Sequence, residues 1–367
     1  MNSPLERPFL IISSSPSNPS STSVIDTAKA ANLLMCHPEE DLLTFVNAPI
    51  GKGQPVVRPL RPLIAVPTTA GTGSETTGIA IFDHLPTGAK TGIRDRALKP
   101  TLGIIDSDHT STCSAELTAF AGLDVLCHAL ESYTAIPYRR RGPAPPSPLL
   151  RPAYQGCNPI SDIWSGYALQ QCALHLTRAV EDNDPTAREQ MGLAATAAGV
   201  GFGNAGVHLC HAMSYPISSC VQGFAPATGY DGRAAASAAP SSSSPKPKTA
   251  FVPHGLSVVL TAPAVFRWTS SAAPDKHLQA ARLLGANTNN VRAADAGLLI
   301  ADTLTSLLSR WKFVPDGLAG VGYDASRDLD KLVRGTLPQK RVLDVAPRKV
   351  QPDDIAALLS GSMKLFS

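Results

Sequence analysis

Between residues 116 and 135 the chain carries a helix-forming run in which Leu123, Val125, Leu126, Ala129 and Leu130 cover most of the helix circumference. A helix that is apolar nearly all round belongs in a core, so other elements must be folded about this one. Inside the run stand Asp124 and His128, four residues apart. On a helix that spacing puts the carboxylate and the imidazole one above the other on the same face. On a solvated face such a pair is an ordinary contact, but a buried carboxylate needs a partner or a cation. The segment therefore predicts a metal-gripping pair whose remaining ligands come from distant parts of the chain.

Histidines able to complete such a site lie downstream. His208 and His211 are three apart and can share a helix face, while His254, between Pro253 and Gly255, sits in a tight turn just before a helix. One carboxylate with three imidazoles suits a divalent ion of the Fe²⁺ or Zn²⁺ type, whereas Mg²⁺ and Ca²⁺ favour all-oxygen sites. The residues alone choose neither the metal nor between His208 and His211. A nearby Gly201-Phe-Gly203-Asn-Ala-Gly206 matches a dinucleotide-binding pattern in letters only. It follows an alanine-rich helical run rather than a strand, so it is expected to serve close helix packing.

The chain before residue 111 has another character. Phe9–Ile12 reads as a short strand, followed by a Ser/Pro/Asn tract. Ser23 and Asp26 form a capping-box pattern that opens a helix, and a further helical piece is expected at 38–47. Strands are expected at 62–67, 78–83 and 101–106. The first runs into Thr68-Thr-Ala-Gly-Thr-Gly-Ser-Glu75, a loop of small and hydroxylated residues suited to receiving phosphate. From residue 114 the pattern is helical, with spans expected at 114–135, 161–181, 185–206, 255–268, 274–285, 292–311, 325–335 and 351–366. Two domains follow: an α/β domain over 1–110 that carries the phosphate-suited loop, and an all-helical domain over 111–367 that carries the candidate metal ligands, with a low-complexity insertion at 223–250.

The net charge of +3, with no basic run alternating with aromatics, gives no reason to expect nucleic acid, and a small-molecule partner is expected instead. Seven scattered cysteines without a C-x-x-C spacing fit reduced thiols. The apolar stretches fall short of the about 18 residues a membrane span needs.

Taken in order, Pro67-Thr-Thr-Ala-Gly-Thr-Gly-Ser-Glu75, Gly122-Leu-Asp124-Val-Leu-Cys-His128-Ala-Leu-Glu131, His211-Ala-Met213 and Pro253-His254-Gly255 resemble the iron-containing (group III) alcohol dehydrogenase family. Within it, Cys127–Ala135, Arg151–Gly156, Asn158–Asp162 and Gly201–His211 resemble the mitochondrial hydroxyacid-oxoacid transhydrogenase branch. The resemblance implies a Rossmann-like domain followed by a dehydroquinate synthase-like helical domain. It implies metal ligation by Asp124, His128, His211 and His254, which are the expected catalytic set, with His208 not among the ligands. It also implies a tightly bound NAD(H) between the domains, contacted by Ser23, Asp26, Thr68, Thr69, Ser74 and Lys90. A mitochondrial location, a homo-oligomer, and hydride transfer from 4-hydroxybutyrate to 2-oxoglutarate are implied as well. Arg139, Arg140, Arg141 and Arg151 are candidates to receive the substrate carboxylates.

Three departures stand out. Where the family has a glycine turn before Ser23, this chain has Ser20-Ser21-Thr22, and Tyr215 occupies a place where many relatives carry a second histidine. The family's opening strands have no counterpart upstream of Ser23, so the chain is expected to be N-terminally incomplete and the strand at 62–67 to be left partly uncovered. Two alternatives to transhydrogenation accompany these departures: a plain NAD(P)-dependent alcohol dehydrogenase, and a catalytically silent metal-binding product.

Overall fold

The computed structural model describes residues 9–12, 21–84, 86, 89–147, 151–226 and 250–366, with 9–12, 21–23 and 89 described by backbone alone. Most of the 223–250 insertion and the Ser/Pro/Asn tract at 13–20 lie outside the described residues.

Among the described residues, every strand falls in the first part of the chain. Strand β1 (Phe9–Ile12), helices α1 (Ser21–Cys36) and α2 (Leu42–Phe45), strand β2 (Leu63–Val66), the hairpin β3 (Ile79–His84) and β4 (Ala89–Arg94), and the short β5 (Leu102–Gly103) make an α/β unit. β2 is the central strand of a parallel sheet, paired with β1 from Phe9↔Leu63 to Ile12↔Val66 and with β5 at Ile64↔Leu102. The expectation of an uncovered β2 is thereby corrected. Phe9–Ile12 supplies a neighbouring strand, and Leu63, Ala65 and Val66 are buried.

Two further differences concern local signals. β4 has no counterpart among the expected strands, because Ala89–Arg94 alternates small, charged and apolar groups; it forms by antiparallel pairing with β3 from Ile79↔Arg94 to His84↔Ala89. Ser23 is not the residue that opens the helix either. α1 already begins at Ser21, and the Asp26 carboxylate instead accepts from the Ser74 hydroxyl at 2.6 Å and the Ile81 amide at 2.9 Å.

The helical part is an all-α unit. α3 (Ala115–Thr134) runs through its middle, flanked by α4 (Pro159–Glu181) and α5 (Pro185–Ala205), with α6 (Leu209–Ser219), α7 (His254–Val259), α8 (Ala262–Thr269), α9 (Pro274–Leu283), α10 (Ala296–Ser309), α11 (Gly317–Gly320), α12 (Ala325–Thr336), α13 (Lys340–Leu343) and α14 (Pro352–Gly361) around them. From Gly122 to Thr134 every residue of α3 is buried, as its nearly all-round apolar pattern requires. Ser114 caps it by accepting from the Leu117 amide at 3.2 Å. The helix expected at 255–268 is two helices, since Pro263 has no N–H to continue the first. Gly201 serves close packing: a Cβ there would lie 2.4 Å from Ser165 Oγ on α4.

Candidate metal centre and the cleft beside it

Asp124 and His128 stand on one face of α3, both buried, with Asp124 Oδ2 3.8 Å from His128 Nδ1. α6 brings His211 Nε2 to 3.5 Å from Asp124 Oδ1, and the start of α7 brings His254 Nε2 to 3.7 Å from the same oxygen. Gly255 permits this approach of α7 to α3, for a Cβ there would meet the Phe120 carbonyl oxygen at 1.9 Å and Asp124 Cβ at 3.1 Å. Asp124, His128 and His211 form the compact group, their ligand atoms all within 4.8 Å of one another. His254 is the outer member, its side chain 36 % exposed towards the cleft.

Both carboxylate oxygens of Asp124, Nδ1 of His128 and Nε2 of His211 are buried without a hydrogen-bond partner. Four orphaned acceptor-capable atoms converging on one point are what a divalent cation satisfies and what a protein interior otherwise avoids. The residues therefore fit a metal with mixed carboxylate and imidazole ligation. Phe202 stacks on the His128 ring at 4.2 Å and His211 stacks on its other side at 4.5 Å, so the imidazole plane is held before any ion arrives.

Behind this group lies Glu131, fully buried on the Asp124–His128 face of α3. Its Oε2 sits against His211 Nδ1, and its Oε1 accepts from the amides of His208 at 3.0 Å, Cys210 at 2.7 Å and His211 at 3.4 Å. A carboxylate at the N-terminus of α6 thus anchors the helix and orients the ligand it carries. The i+3 spacing from His128 was a usable signal for Glu131 that sequence reasoning passed over. His208 is fully buried and turns away, with Nε2 3.3 Å from Thr134 Oγ1, so the structure brings His211 and not His208 to Asp124.

Burial opposes charge on His211, but Glu131 and then Asp124 more than offset it and lift its pKa to about 9, while burial drives His128 down to about 3 against the pull of Asp124. In the ion-free protein His211 therefore holds a proton that a metal must displace. A raised folded-state pKa gives stability that is full below the unfolded value of 6.5 and lost as pH climbs through about 9. Metal affinity should move the opposite way, rising about tenfold per pH unit between pH 6.5 and 8.5 as that proton becomes easier to remove. Competition against a chromophoric chelator at several pH values measures this, and an affinity flat across the window would contradict it.

The centre opens into a cleft of about 250 Å³ whose walls include Thr72, Ser74, Ile81 and Lys90 from the α/β unit and Phe202, Tyr215, Val252 and Arg341 from the helical one. Asp26 and Ser74 also line it, yet they are engaged with Lys29. That ammonium is fully buried and donates to the Ser74 carbonyl at 2.7 Å, the Ser74 hydroxyl at 2.8 Å and the Ile79 carbonyl at 2.8 Å. Lys90 pairs across the hairpin with Asp83 at 3.9 Å. Thr69 lines a separate cavity with Glu75 and Ile104, and the Thr68 carbonyl accepts from Cys113 Sγ. The Ser23 side chain lies outside the described residues. Gly73, at φ +61°, lets the loop pack on α5, since a Cβ would meet the Ala195 carbonyl oxygen at 2.9 Å. Arg139, Arg140 and Arg151 are exposed and Arg141 donates to the Asp344 carbonyl, so none of these four lines the cleft.

A Rossmann-like sheet beside a helical unit that gathers three imidazoles at a shared cleft around one buried carboxylate defines a metal-dependent dehydrogenase architecture. Residues 21–107 match the model of the iron-containing alcohol dehydrogenases, and residues 153–222 match that of the C-terminal part of the same family. Over 345 residues the chain is 54% identical to the mitochondrial hydroxyacid-oxoacid transhydrogenase of Bos taurus, an alignment covering 94% of this chain and 70% of that protein. Among solved structures it resembles a 1,3-propanediol oxidoreductase and the alcohol dehydrogenase from Oenococcus oeni. Both superpose with a TM-score of 0.73 at 25% identity, covering 93% of this chain and 75% and 74% of theirs. The chain belongs to the iron-containing alcohol dehydrogenase family.

Proposed function

We propose that this chain is a hydroxyacid-oxoacid transhydrogenase of mitochondria, carrying hydride from 4-hydroxybutyrate to 2-oxoglutarate and giving succinate semialdehyde and 2-hydroxyglutarate. The 54% identity to the Bos taurus protein of that name supports the substrate classes. The observation that carries the chemistry is the convergence of unpartnered buried atoms from Asp124, His128 and His211 beside a cleft shared by the two units. Asp124, His128, His211 and His254 would hold one divalent ion, Fe²⁺ or Zn²⁺. When bound, such an ion supplies a Lewis acid for the substrate oxygen, and a nicotinamide nucleotide supplies the hydride acceptor and donor.

The chain's own residues set the geometry. Phe202 and His211 clamp the His128 ring, Glu131 orients His211, and the apolar groups of Ile79, Ile81, Val207 and Val252 keep water from the wall of the cleft. Residues up to 110 form the nucleotide-binding domain in this proposal. Lys90, Thr68 and Thr69 would contact the nucleotide, and Asp26 and Ser74 act through Lys29 to hold the loop at 68–75. A nicotinamide nucleotide retained between half-reactions would supply the hydride carrier that couples oxidation of the hydroxyacid carbon to reduction of the oxoacid's keto carbon.

The test is steady-state turnover without added nucleotide. Succinate semialdehyde should form only when 4-hydroxybutyrate and 2-oxoglutarate are both present. A need for added NAD⁺, with indifference to 2-oxoglutarate, would favour instead a plain alcohol dehydrogenase, the activity for which the Oenococcus oeni protein is named.

A further inference from the structure

We propose that Arg341 is the carboxylate receptor of this site, that it selects acids over plain alcohols, and that the one arginine serves hydride donor and acceptor alike. The inference rests on the transhydrogenase reading for the identity of its substrates. Arg341 lies at the start of α13 and lines the same cleft as His128, His211 and His254. Its guanidinium lies 5.1 Å from the centre of the Tyr154 ring, and Nη2 donates to the Tyr215 hydroxyl at 3.2 Å. Nη1 is buried with no hydrogen-bond partner.

Among the described residues no carboxylate pairs with Arg341. Arg94 on β4, a charged neighbour, carries the same sign, and the Asp26 carboxylate on the cleft wall is taken up by Lys29 and Ser74. A half-buried guanidinium that is fixed by two tyrosines and has no paired carboxylate is an unfavourable arrangement. A carboxylate entering the cleft removes that penalty, and the planar N–H fork of arginine matches its two oxygens. The arginines at 139, 140, 141 and 151 offer nothing comparable, since they do not reach the cleft.

The substrates share the feature that one fixed arginine needs. In 4-hydroxybutyrate two methylenes separate the reacting C4 from the carboxylate, and in 2-oxoglutarate two methylenes separate the reacting C2 from the distal carboxylate. With the reacting carbon placed at the metal centre, both molecules present a carboxylate at the same reach. Arg341 thereby imposes one chain length on both half-reactions, and 3-hydroxypropionate, one methylene shorter, should be a poor donor.

The experiment uses the full chain loaded with metal. Arg341→Gln should lower the ratio of kcat/KM for 4-hydroxybutyrate to that for butan-1-ol about 100-fold, as expected for loss of a charge-assisted, bidentate contact. KM for 2-oxoglutarate should rise in parallel, and Arg341→Lys should recover part of both effects. A ratio within about threefold of wild type overturns the proposal even if both activities fall, because general damage lowers both rates together. Titration with glutarate, an unreactive probe, separates this outcome from failure of the transhydrogenase reading. If wild type ignores 2-oxoglutarate as a substrate but binds glutarate through Arg341, the receptor stands and the reading falls. If Arg341→Gln binds glutarate as tightly as wild type, or wild type does not bind it, the receptor falls.

Discussion

Asp124→Asn protein should come off purification without its equivalent of metal and with turnover reduced at least about a thousandfold, the several kcal/mol that a metal ion contributes to stabilising developing charge. The substitution conserves volume, so it leaves no cavity in α3, and the effect isolates the charge. Asp124 is the only anionic member of the set, and each histidine places a nitrogen 3.5–3.8 Å from one of its oxygens. Without the carboxylate, a doubly charged ion would enter a buried pocket against three neutral imidazoles, with far less to offset its desolvation. Elemental analysis beside steady-state rates checks this. Wild-type melting temperature should fall on chelation while that of the variant should not respond. A variant that keeps one ion per chain and turns over within about tenfold of wild type would show that the ligand set is wrong.

Glu131→Ala should be the most destabilising single change near the site, costing about 3–5 kcal/mol in the metal-free protein, the usual consequence of removing one partner from a buried charge pair. The carboxylate is fully buried, sits against His211 Nδ1, and accepts from three amides at the start of α6. Its removal strands an imidazolium and those amides out of reach of water. Glu131→Gln should be milder, because its amide oxygen can still accept from the backbone. Even so it should weaken metal binding about 10–100-fold, as is usual when the group orienting a histidine ligand is lost. Urea unfolding of the metal-free forms measures the first effect and chelator competition the second. An alanine variant within about 1 kcal/mol of wild type would mean that Glu131 is a bystander.

The two predictions differ in how far the sequence led to them. Asp124 and His128 were legible because a helix converts a four-residue spacing into a shared face, and because Leu123, Val125, Leu126, Ala129 and Leu130 announce burial without reference to anything distant. Glu131 continues the same face and was equally accessible, yet nothing in the local pattern says what it touches. Its partners are backbone amides near residue 210, joined to it only when α6 docks on α3.

By itself, then, the sequence determined what short-range periodicity encodes: strands before residue 104, helices after 114, a buried ionisable pair on α3, and a family motif order that picks His211. The tertiary structure decided which chemically similar residues meet. His208 and His211 have the same local character, but α6 begins at Leu209, so the first turns to Thr134 and the second to Asp124. Phe9–Ile12 reads as a strand from its own residues, but only the fold shows that it pairs with β2. Ser74 and Asp26 are expected as cofactor contacts, and the fold both sets them on the cleft wall and ties them to Lys29. Of the arginines named as carboxylate candidates, Arg139, Arg140 and Arg151 are exposed and Arg141 donates to the Asp344 carbonyl, while Arg341, more than 120 residues from Tyr215, donates to its hydroxyl. Local patterning records how much of an element is buried, because burial acts on each residue separately. Which polar groups face one another across a cleft depends on the docking of several helices at once, and that information resides in no single stretch of chain.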